Sequence, residues 1–329
     1  MRPMRKKRLV SGIQPTGRMH LGNYLGAIQN WVALQNEYDA FFMIADWHAL
    51  TTLYENTSNL RDDKYALALD LLGAGVDPKK ACLFFQSDVP FHAELHLLLS
   101  MITPLPWLER VPTYKGKMDE IANKDLHTYG FLGYPVLQTA DILLYQGDVV
   151  PVGKDQLPHL ELAREIIRRF NFIYKTELPE PEDRLTHYAT LLGTDGRKMS
   201  KSYGNTIPLS DSAEEVEKKV RAMVTDPQRV RRTDPGNPDV CPVFSFHQIF
   251  NADRVEPIRT GCQSATLGCV DCKKECAAAL NTSLTYFRER RALYAADKAQ
   301  VETYLAEGKA RAIDAASETM TIIRNAVGV

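Results

Sequence analysis

Short apolar runs alternate with segments of helical periodicity along the first half of the chain. Apolar residues recur at positions 21, 25, 28 and 32, and again through 60–72 and 157–170. The candidates for buried strands are residues 7–11, 40–45, 81–85 and 148–152. Because short apolar strands that alternate with helices are typical of parallel sheets, this pattern predicts an α/β fold. The expected form is a Rossmann-like doubly wound parallel sheet.

The rest of the chain has helical character and little strand pattern. Residues 91–144 predict a helical insertion between the two halves of the sheet. Beyond Pro208, further helices are predicted over 213–224, 272–294 and 299–326. The predicted domains are a Rossmann catalytic domain at 1–207, with a polar loop at 194–205, and a C-terminal α-helical domain at 208–329.

Composition excludes several classes of protein. Apolar residues make up 44% and charged residues 25% of the 329 residues, which argues against disorder. No stretch approaches the roughly 20 apolar residues of a membrane-spanning helix. Residues 9–12 are too short for the core of a signal peptide. We therefore expect a cytoplasmic protein with no membrane association.

Charge is balanced over the whole chain but clustered locally. The formal net charge is −1, so no global excess of positive charge indicates a nucleic-acid partner. Two basic clusters could still contact phosphates, and the alternative for both is an ordinary solvated surface. The clusters are Arg2, Arg5, Lys6, Lys7 and Arg8 at the start, and Arg229, Arg231 and Arg232.

A turn rich in Gly, Pro and Thr, residues 15–23, stands where the first strand gives way to a helix. Backbone N–H groups in such a turn, with the N-terminus of the helix, can face an anion. Gly22 lets a nucleotide approach the backbone closely. His20 can donate to a phosphate, and Asn23 to phosphate or ribose oxygens. The alternative is a helix cap with a buried histidine.

The second motif is Lys-Met-Ser-Lys-Ser at 198–202, which follows a turn at 194–197 and should therefore form a loop. Lys198 and Lys201 carry flexible point charges that can close on a triphosphate. They can also follow the charge that develops on departing pyrophosphate. The alternative is a solvated loop without a ligand.

Together, the two motifs resemble in order and spacing those of the class I aminoacyl-tRNA synthetases, which activate an amino acid with ATP and load it onto tRNA. The sequence around them resembles tryptophanyl-tRNA synthetase. Tyrosyl-tRNA synthetase shares the fold and the lysine motif, but its opening segment reads differently. The similar segments are residues 11–17, 20–27, 45–50, 134–145 and 150–156.

The resemblance implies roles for individual residues. Asp141 would accept the indole N–H, and a site built on such a hydrogen bond rejects phenylalanine by roughly four to five powers of ten. A helix cap or an ion-pair partner is the alternative for Asp141. Tyr134, Gln138 and Gln156 would surround the amino and carboxylate groups of tryptophan, and His48 would line its pocket. The implied ATP-binding set is Gln14, Pro15, Thr16, Gly22, Asn23, Gly153, Lys154, Asp155, Leu192, Lys198, Met199, Ser200, Lys201 and Ser202, and the catalytic set is His20, Lys117, Lys198 and Lys201.

The same resemblance implies tryptophan and ATP as substrates, Mg²⁺ on the pyrophosphate, tRNA(Trp) as partner and a homodimer. No editing domain is expected, because tryptophan is the largest standard side chain and smaller competitors fill its pocket poorly. Two positions depart from the family pattern. Lys154 stands where Glu is common, and Gln138 replaces a Met that many members carry.

Five of the six cysteines lie between positions 241 and 276, whereas Cys82 stands in an apolar run typical of a core. In a reducing compartment such a cluster favours a metal over disulfides. The close Cys269 and Cys272 pair can hold one metal centre, and two more thiolates would complete four ligands. The alternatives are Zn²⁺ and a chance cluster of structural cysteines, and Cys276 is either a spare thiol or a replacement ligand. Resemblance to a subset of tryptophanyl-tRNA synthetases implies a [4Fe–4S] cluster on Cys241, Cys262, Cys269 and Cys272.

Two hypotheses from other classes compete with a synthetase. An adenylyltransferase uses a similar nucleotide-binding turn, but generally in a shorter chain without a large helical C-terminal domain. A non-catalytic tRNA-binding paralogue would have the fold without the activity, but both motifs are intact here. An aminoacylation assay distinguishes the three.

Overall fold

The computed structural model describes residues 5–111, 126–185 and 191–329 of the chain. It contains a sheet of five parallel strands in the order β3-β2-β1-β4-β5. Strands β1, β2 and β3 follow one another toward one edge of the sheet, and β4 and β5 then extend the sheet on the other side of β1. This order confirms the predicted Rossmann-like class. The strands are β1 (Arg8–Ile13), β2 (Asp39–Ile44), β3 (Cys82–Phe85), β4 (Val149–Val152) and β5 (Glu182–Leu185).

Helices connect the strands and make up most of the chain after β5. Short 3₁₀ turns lie at Gln86–Asp88, Lys154–Gln156 and Lys201–Tyr203, and a π-helical turn spans Tyr24–Ile28. None of the helices in the described ranges is long and apolar enough to cross a membrane. The helices are α1 (Leu21–Asn23), α2 (Gln29–Leu34), α3 (Asp46–Leu53), α4 (Leu60–Ala74), α5 (Phe91–Ser100), α6 (Leu105–Glu109), α7 (Tyr129–Leu144), α8 (Leu157–Tyr174), α9 (Ala213–Ala222), α10 (Pro242–Phe250), α11 (Val255–Gln263), α12 (Cys269–Ala296) and α13 (Lys298–Val327).

Strand β5 has no counterpart among the predicted strands. Its four residues, Glu182–Leu185, are all exposed, and three of them are charged. The strand pairs with β4 through its backbone at the edge of the sheet. Because an apolar run marks only strands that are buried, a polar edge strand leaves no such signal.

By their internal contacts the residues form two compact units. The first contains the described residues of Met1–Gly17, Gln29–His187 and Tyr294–Val329, and the second those of Arg18–Ile28 and Tyr188–Leu293. This grouping differs from the predicted boundary at residue 207 in three places: residues 18–28 and the described residues of 188–207 belong to the second unit, and residues 294–329 belong to the first. Residues 18–28 join the second unit, where Leu21 N donates to Ile207 O at 3.0 Å and Leu209 N donates to Met19 O at 2.9 Å.

Helix α13 joins the first unit because it packs directly on β3. A Cβ atom at Gly308 would lie 1.9 Å from the carbonyl oxygen of Leu83, so only glycine permits this approach. The thiol of Cys82 donates to the carbonyl of Gly308 at 3.0 Å. Arg324 makes two hydrogen bonds of 2.6 Å to the carboxylate of Glu94 on α5. Helix α13 therefore completes the core of the sheet unit.

Candidate active site

The carboxyl ends of β1 and β4 mark the switch point of the sheet in the first unit. Ligands of open α/β sheets bind at this edge. Gln14, Pro15 and Thr16 follow β1, and residues 153–156 follow β4. A Cβ atom at Gly153 would lie 2.7 Å from Asp155 Oδ1, so a side chain there would displace the Asp155 carboxylate. These segments of the predicted ATP-binding set therefore share one edge of the sheet.

Asp141 is buried on α7, with 3% of its surface exposed, and its carboxylate accepts from three other elements. His48 Nε2 on α3 lies 2.7 Å from Oδ2. His92 Nδ1 on α5 and Gln86 Nε2 lie 2.7 Å and 2.8 Å from Oδ1. Burial alone would raise the pKa of Asp141, but attraction and hydrogen bonding by His48, and then by His92, outweigh burial. The pKa therefore lies below its usual range, and the carboxylate is ionised at neutral pH.

A further set of contacts fixes these donors. His92 Nε2 lies 2.7 Å from the hydroxyl of Tyr145, and burial raises the pKa of Tyr145. The carboxylate of Asp141 can only accept, so His92 Nδ1 carries a ring hydrogen and donates to Oδ1, while Nε2 and the protonated Tyr145 hydroxyl share a second hydrogen bond. Gln86 Oε1 accepts from the backbone N–H groups of Trp47 and His48 at 3.1 and 3.2 Å. Gln86 and His92 were not among the predicted site residues. Gln86 directly follows a buried strand, and a polar residue at that position could have indicated the site.

Helix α7 also carries two other predicted tryptophan-site residues. Tyr134, Gln138 and Asp141 are four and three residues apart, so they share one face of the helix. The hydroxyl of Tyr134 lies 3.2 Å from His159 Nε2 on α8. Gln156 immediately precedes α8, and its Nε2 donates to Asp155 Oδ2 at 3.1 Å. The structure therefore joins His48 to Asp141 directly and lines up the α7 residues on one face.

In the second unit, His20 caps the N-terminus of α1. Its backbone N–H donates to Asn23 Oδ1 at 3.2 Å, and Asn23 N donates to His20 Nδ1 at 3.4 Å. Burial, followed by the positive charge of Lys201, lowers the pKa of His20 to about 4. The ring is therefore neutral at pH 7. Because Nδ1 accepts from Asn23 N, the ring hydrogen of His20 resides on Nε2. His20 is therefore a helix cap, as in the alternative interpretation, and its Nε2–H remains a hydrogen-bond donor.

The lysine loop, residues 198–202, follows a tight antiparallel turn in the same unit. Leu192 pairs with Lys198, Met199 N donates to Leu191 O at 2.9 Å, and Gly196 has a φ of 83°. A Cβ atom at Gly22 would lie 3.6 Å from Met199 Cβ. The first motif and the lysine loop therefore meet. Lys117 lies outside the described residues.

The side chain of Asn205 is hydrogen-bonded to the lysine loop, although Asn205 was not among the predicted residues. It is 2% exposed. Its Nδ2 donates to Asp195 Oδ1 at 2.7 Å and to Lys198 O at 3.1 Å, and its Oδ1 accepts from Ser200 N at 2.8 Å. Asn205 follows Lys201 in the chain, and its buried amide bonds back to three residues before Lys201, which fixes the backbone course of the loop.

The four predicted ligand cysteines come from three neighbouring helices of the second unit. Cys241 precedes α10, Cys262 lies on α11, and Cys269 and Cys272 begin α12. Burial raises the pKa of Cys272 to about 12, and charges on the other three thiols add to this effect. These thiols are therefore electrostatic neighbours. Within the described ranges, no group of three or more His, Cys, Asp or Glu side chains is arranged as a metal site.

Arg2 lies outside the described residues, and most of the other residues of the basic clusters are engaged within the protein. Arg5 pairs with Asp148 at 2.8 Å and Lys7 with Glu182 at 3.1 Å. Arg229 donates to the carbonyl of Leu267 at 2.9 Å, and its Nη1 lies 3.6 Å from Cys262 Sγ. Arg231 and Arg232 are exposed. Arg229 therefore has a structural role beside the cysteines, whereas its two neighbours face solvent.

Known proteins are similar to this chain over nearly its whole length. Residues 2–285 match the family described as tRNA synthetases class I (W and Y). The chain is 48% identical to the tryptophan–tRNA ligase of Thermotoga maritima, with 98% of this chain and 99% of that protein covered. It is 42% identical to the tryptophan–tRNA ligase of Ralstonia nicotianae, with 98% of each covered.

Solved structures give the same result. Tryptophanyl-tRNA synthetase from Campylobacter jejuni, complexed with ADP and tryptophan, has a TM-score of 0.89 at 33% identity and covers 98% of this chain and 100% of that chain. A tyrosyl-tRNA synthetase from Archaeoglobus fulgidus, 24% identical with a TM-score of 0.66, shares the fold. The fold and the paired motifs define a class I aminoacyl-tRNA synthetase. Within that class, the chain belongs to the family of tryptophan and tyrosine enzymes, and the resemblance to the tryptophanyl members is confirmed.

Proposed function

We propose that this chain activates L-tryptophan with ATP and transfers it to tRNA(Trp), which is the activity of a tryptophan–tRNA ligase. The observation that carries the substrate assignment is the buried, ionised carboxylate of Asp141. An indole N–H is a donor that such a carboxylate can accept, and phenylalanine has no donor to offer. The relatives that match over their full length bear this name.

Tryptophan would lie against the face of α7 that carries Tyr134, Gln138 and Asp141. Asp141 would accept the indole N–H while His48 lines the same pocket. Tyr134, Gln138 and Gln156 would contact the amino and carboxylate groups. Gln138 differs from the Met of many members, and its amide adds a donor and an acceptor to this face.

The residues that we propose to contact ATP in the first unit are Gln14, Pro15, Thr16, Gly153, Lys154 and Asp155, which lie at the edge of the sheet. Those in the second unit are Gly22, Asn23, Leu192, Lys198, Met199, Ser200, Lys201 and Ser202. The tryptophan carboxylate attacks the α-phosphorus, a new C–O–P bond forms, and the bond to the β-phosphate oxygen breaks. Lys198, Lys201 and the neutral His20 would stabilise the charge on pyrophosphate, with Lys117 and the Mg²⁺ that accompanies ATP. The ribose hydroxyl of tRNA then attacks the adenylate carbonyl and AMP leaves.

The test is tryptophan-dependent exchange of labelled pyrophosphate into ATP, followed by aminoacylation of tRNA(Trp). We expect exchange with tryptophan and none above background with tyrosine at equal concentration. Exchange driven by tyrosine would overturn the substrate assignment. Exchange without tRNA charging would support an adenylyltransferase instead, and no activity in either assay would support a non-catalytic paralogue.

We further propose that Cys241, Cys262, Cys269 and Cys272 hold a [4Fe–4S] cluster, with Zn²⁺ as the competing metal. Four thiols suit either metal. The proximity of these thiols supports the proposal, because burial and then their mutual repulsion raise the pKa of Cys272, and bound metal ions would relieve that repulsion. Arg229 Nη1 could donate to a ligating sulfur from its place near Cys262 Sγ.

The test of the cysteine site is a visible spectrum and metal analysis of protein purified without air. A [4Fe–4S] cluster gives a brown protein with broad absorption that dithionite bleaches. Cys272→Ser should remove the iron, whereas Cys82→Ser, in the core of the other unit, should retain it. A colourless protein with stoichiometric zinc would refute the iron–sulfur proposal in favour of zinc.

We propose that residues 208–329 include the anticodon-binding region and that the enzyme is a homodimer. The exposed guanidinium groups of Arg231 and Arg232 support a contact with RNA phosphates. For the dimer, the supporting feature is an apolar patch on α5, α6 and α7, which pack together in the first unit. The residues that we assign to this patch are the exposed Leu97 on α5, Met101 directly after α5, Leu105 on α6 and Tyr129 on α7.

Light scattering after size exclusion tests the dimer. Met101→Glu should convert the dimer to a monomer, because it places a charge in the apolar patch. Phe172→Glu alters an equally exposed aromatic residue on α8, outside the patch, and should leave the dimer intact. A wild-type protein that runs as a monomer would exclude the dimer.

A further inference from the structure

The two carboxylate oxygens of Asp141 accept different numbers of hydrogen bonds. A carboxylate offers about four acceptor positions, two on each oxygen. Oδ1 accepts from both Gln86 Nε2 and His92 Nδ1, so its capacity is filled. Oδ2 accepts from His48 Nε2. Among the residues that the structure describes, no second donor to Oδ2 is present, so one acceptor position remains, and it belongs to Oδ2.

The two donors to Oδ1 are themselves held at their far ends. His92 is fully buried, and its Nε2 faces the Tyr145 hydroxyl at 2.7 Å. Gln86 is also fully buried, and its Oε1 accepts two backbone N–H groups at the start of α3. Neither side chain can turn away without breaking these bonds. The carboxylate plane of Asp141, which is otherwise soft to rotation, is thus held at Oδ1 by two fixed donors, in addition to the bond from His48 to Oδ2.

We propose that Asp141 Oδ2 is the atom that accepts the indole N–H, and that His92 and Gln86 are positioning residues that hold Oδ1 so that Oδ2 keeps its direction. This inference rests on the proposed role of Asp141 in binding tryptophan. His92 and Gln86 need not touch the substrate. They keep the acceptor Oδ2 aligned with the indole N–H. This alignment distinguishes indole from rings that lack an N–H group.

The readout is the selectivity for the indole N–H, measured in pyrophosphate exchange. The substrates are L-tryptophan and β-(3-benzothienyl)alanine, in which sulfur replaces the ring N–H. The measured quantity is the ratio of kcat/KM for the two substrates. A merely structural role for His92 would lower both values and leave the ratio unchanged.

His92→Leu removes the donor, and we expect it to lower the ratio about tenfold, the lower end for a hydrogen bond to a charged group. His92→Asn retains an N–H near the position of Nδ1 and should keep the ratio within about twofold of wild type. Gln86→Met should also lower the ratio, and it serves as the second test should His92→Leu fail to fold. Thr139→Val is the matched control, because Thr139 is buried on α7 and bonds to Pro135 O within its own helix.

Asp141→Asn separates this inference from the function on which it rests. A ratio unchanged in Asp141→Asn would remove Asp141 from indole recognition, and this inference with it. A ratio that falls in Asp141→Asn but stays at the wild-type value in folded His92→Leu and Gln86→Met would overturn the positioning role alone. A fall in all three, with Thr139→Val unchanged, is the expected result.

Discussion

Asn205→Ala tests whether the lysine loop depends on one buried amide for its conformation. The substitution leaves the carbonyl of Lys198 and the N–H of Ser200 without their buried partner. Each of these hydrogen bonds contributes about 1 kcal/mol, so their loss totals about 2 kcal/mol. The bond to Asp195 adds little, because water replaces it at this part-exposed carboxylate. A difference of about 2 kcal/mol corresponds to roughly a 30-fold change in the population of the ordered loop.

The assay is pyrophosphate exchange with separate titrations of ATP and tryptophan. We expect kcat/KM for ATP to fall by up to about 30-fold, while the KM for tryptophan changes less than about twofold. The reason is that the loop would contact the phosphates of ATP, whereas the α7 residues that would bind tryptophan belong to the other compact unit.

Asn171→Ala is the matched control. Asn171 also makes three side-chain hydrogen bonds, to Thr176 and twice to the backbone of Leu178, at 2.8 to 2.9 Å. It should reduce thermal stability without affecting the ATP kinetics. Wild-type ATP kinetics in Asn205→Ala, or an equal loss in ATP and tryptophan kinetics, would refute the reasoning.

Three further predictions concern the phosphate site and the core. In pyrophosphate exchange, Lys201→Ala should slow adenylate formation strongly and leave the tryptophan KM nearly unchanged, and equal losses would exclude a phosphate role for Lys201. Since folding lowers the pKa of His20 from 6.5 to about 4, the unfolded state binds the proton more readily, and the free energy of unfolding should rise between pH 4 and 6.5 by at most about 3 kcal/mol. Urea unfolding of His20→Asn should show a shallower slope over that interval, and identical profiles would contradict the pKa. Gly308→Ala should lower the melting temperature, because overpacking against Leu83 O costs about 1–3 kcal/mol or more and exceeds the roughly 1 kcal/mol by which alanine favours a helix. An unchanged melting temperature would mean that α13 lies farther from β3.

The buried strands and long helices were predictable because their periodicity is strong. The predicted strand at 40–45 is observed at Asp39–Ile44, and the predicted helix at 157–170 extends over Leu157–Tyr174. Strand β5 was missed because its residues are polar and exposed. The two short helices α10 and α11 were also missed, since nine residues each span too few turns for a clear period.

The motifs identified the site residues that repeat a family pattern, but not those defined only by tertiary contacts. His92 and Asn205 act through partners that are distant in sequence or that lie across a turn. His92 reaches Asp141 over 49 positions, and Asn205 reaches Asp195 over 10. In the sequence, neither a histidine at position 92 nor an asparagine at position 205 indicates a contact of this kind. The assignment of α13 to the sheet unit has the same origin, because it depends on Gly308 meeting β3.

That contact between α13 and β3 has a consequence for synthesis of the protein on the ribosome. Cys82 and Gly308 are 226 residues apart. At roughly 5–20 residues per second, the ribosome needs roughly 10 to 45 seconds to deliver the second after the first. Throughout that interval, one apolar side of β3 has no cover from α13. The nascent chain therefore presents this strand to chaperones, and to neighbouring nascent chains on the same message, until the helix emerges.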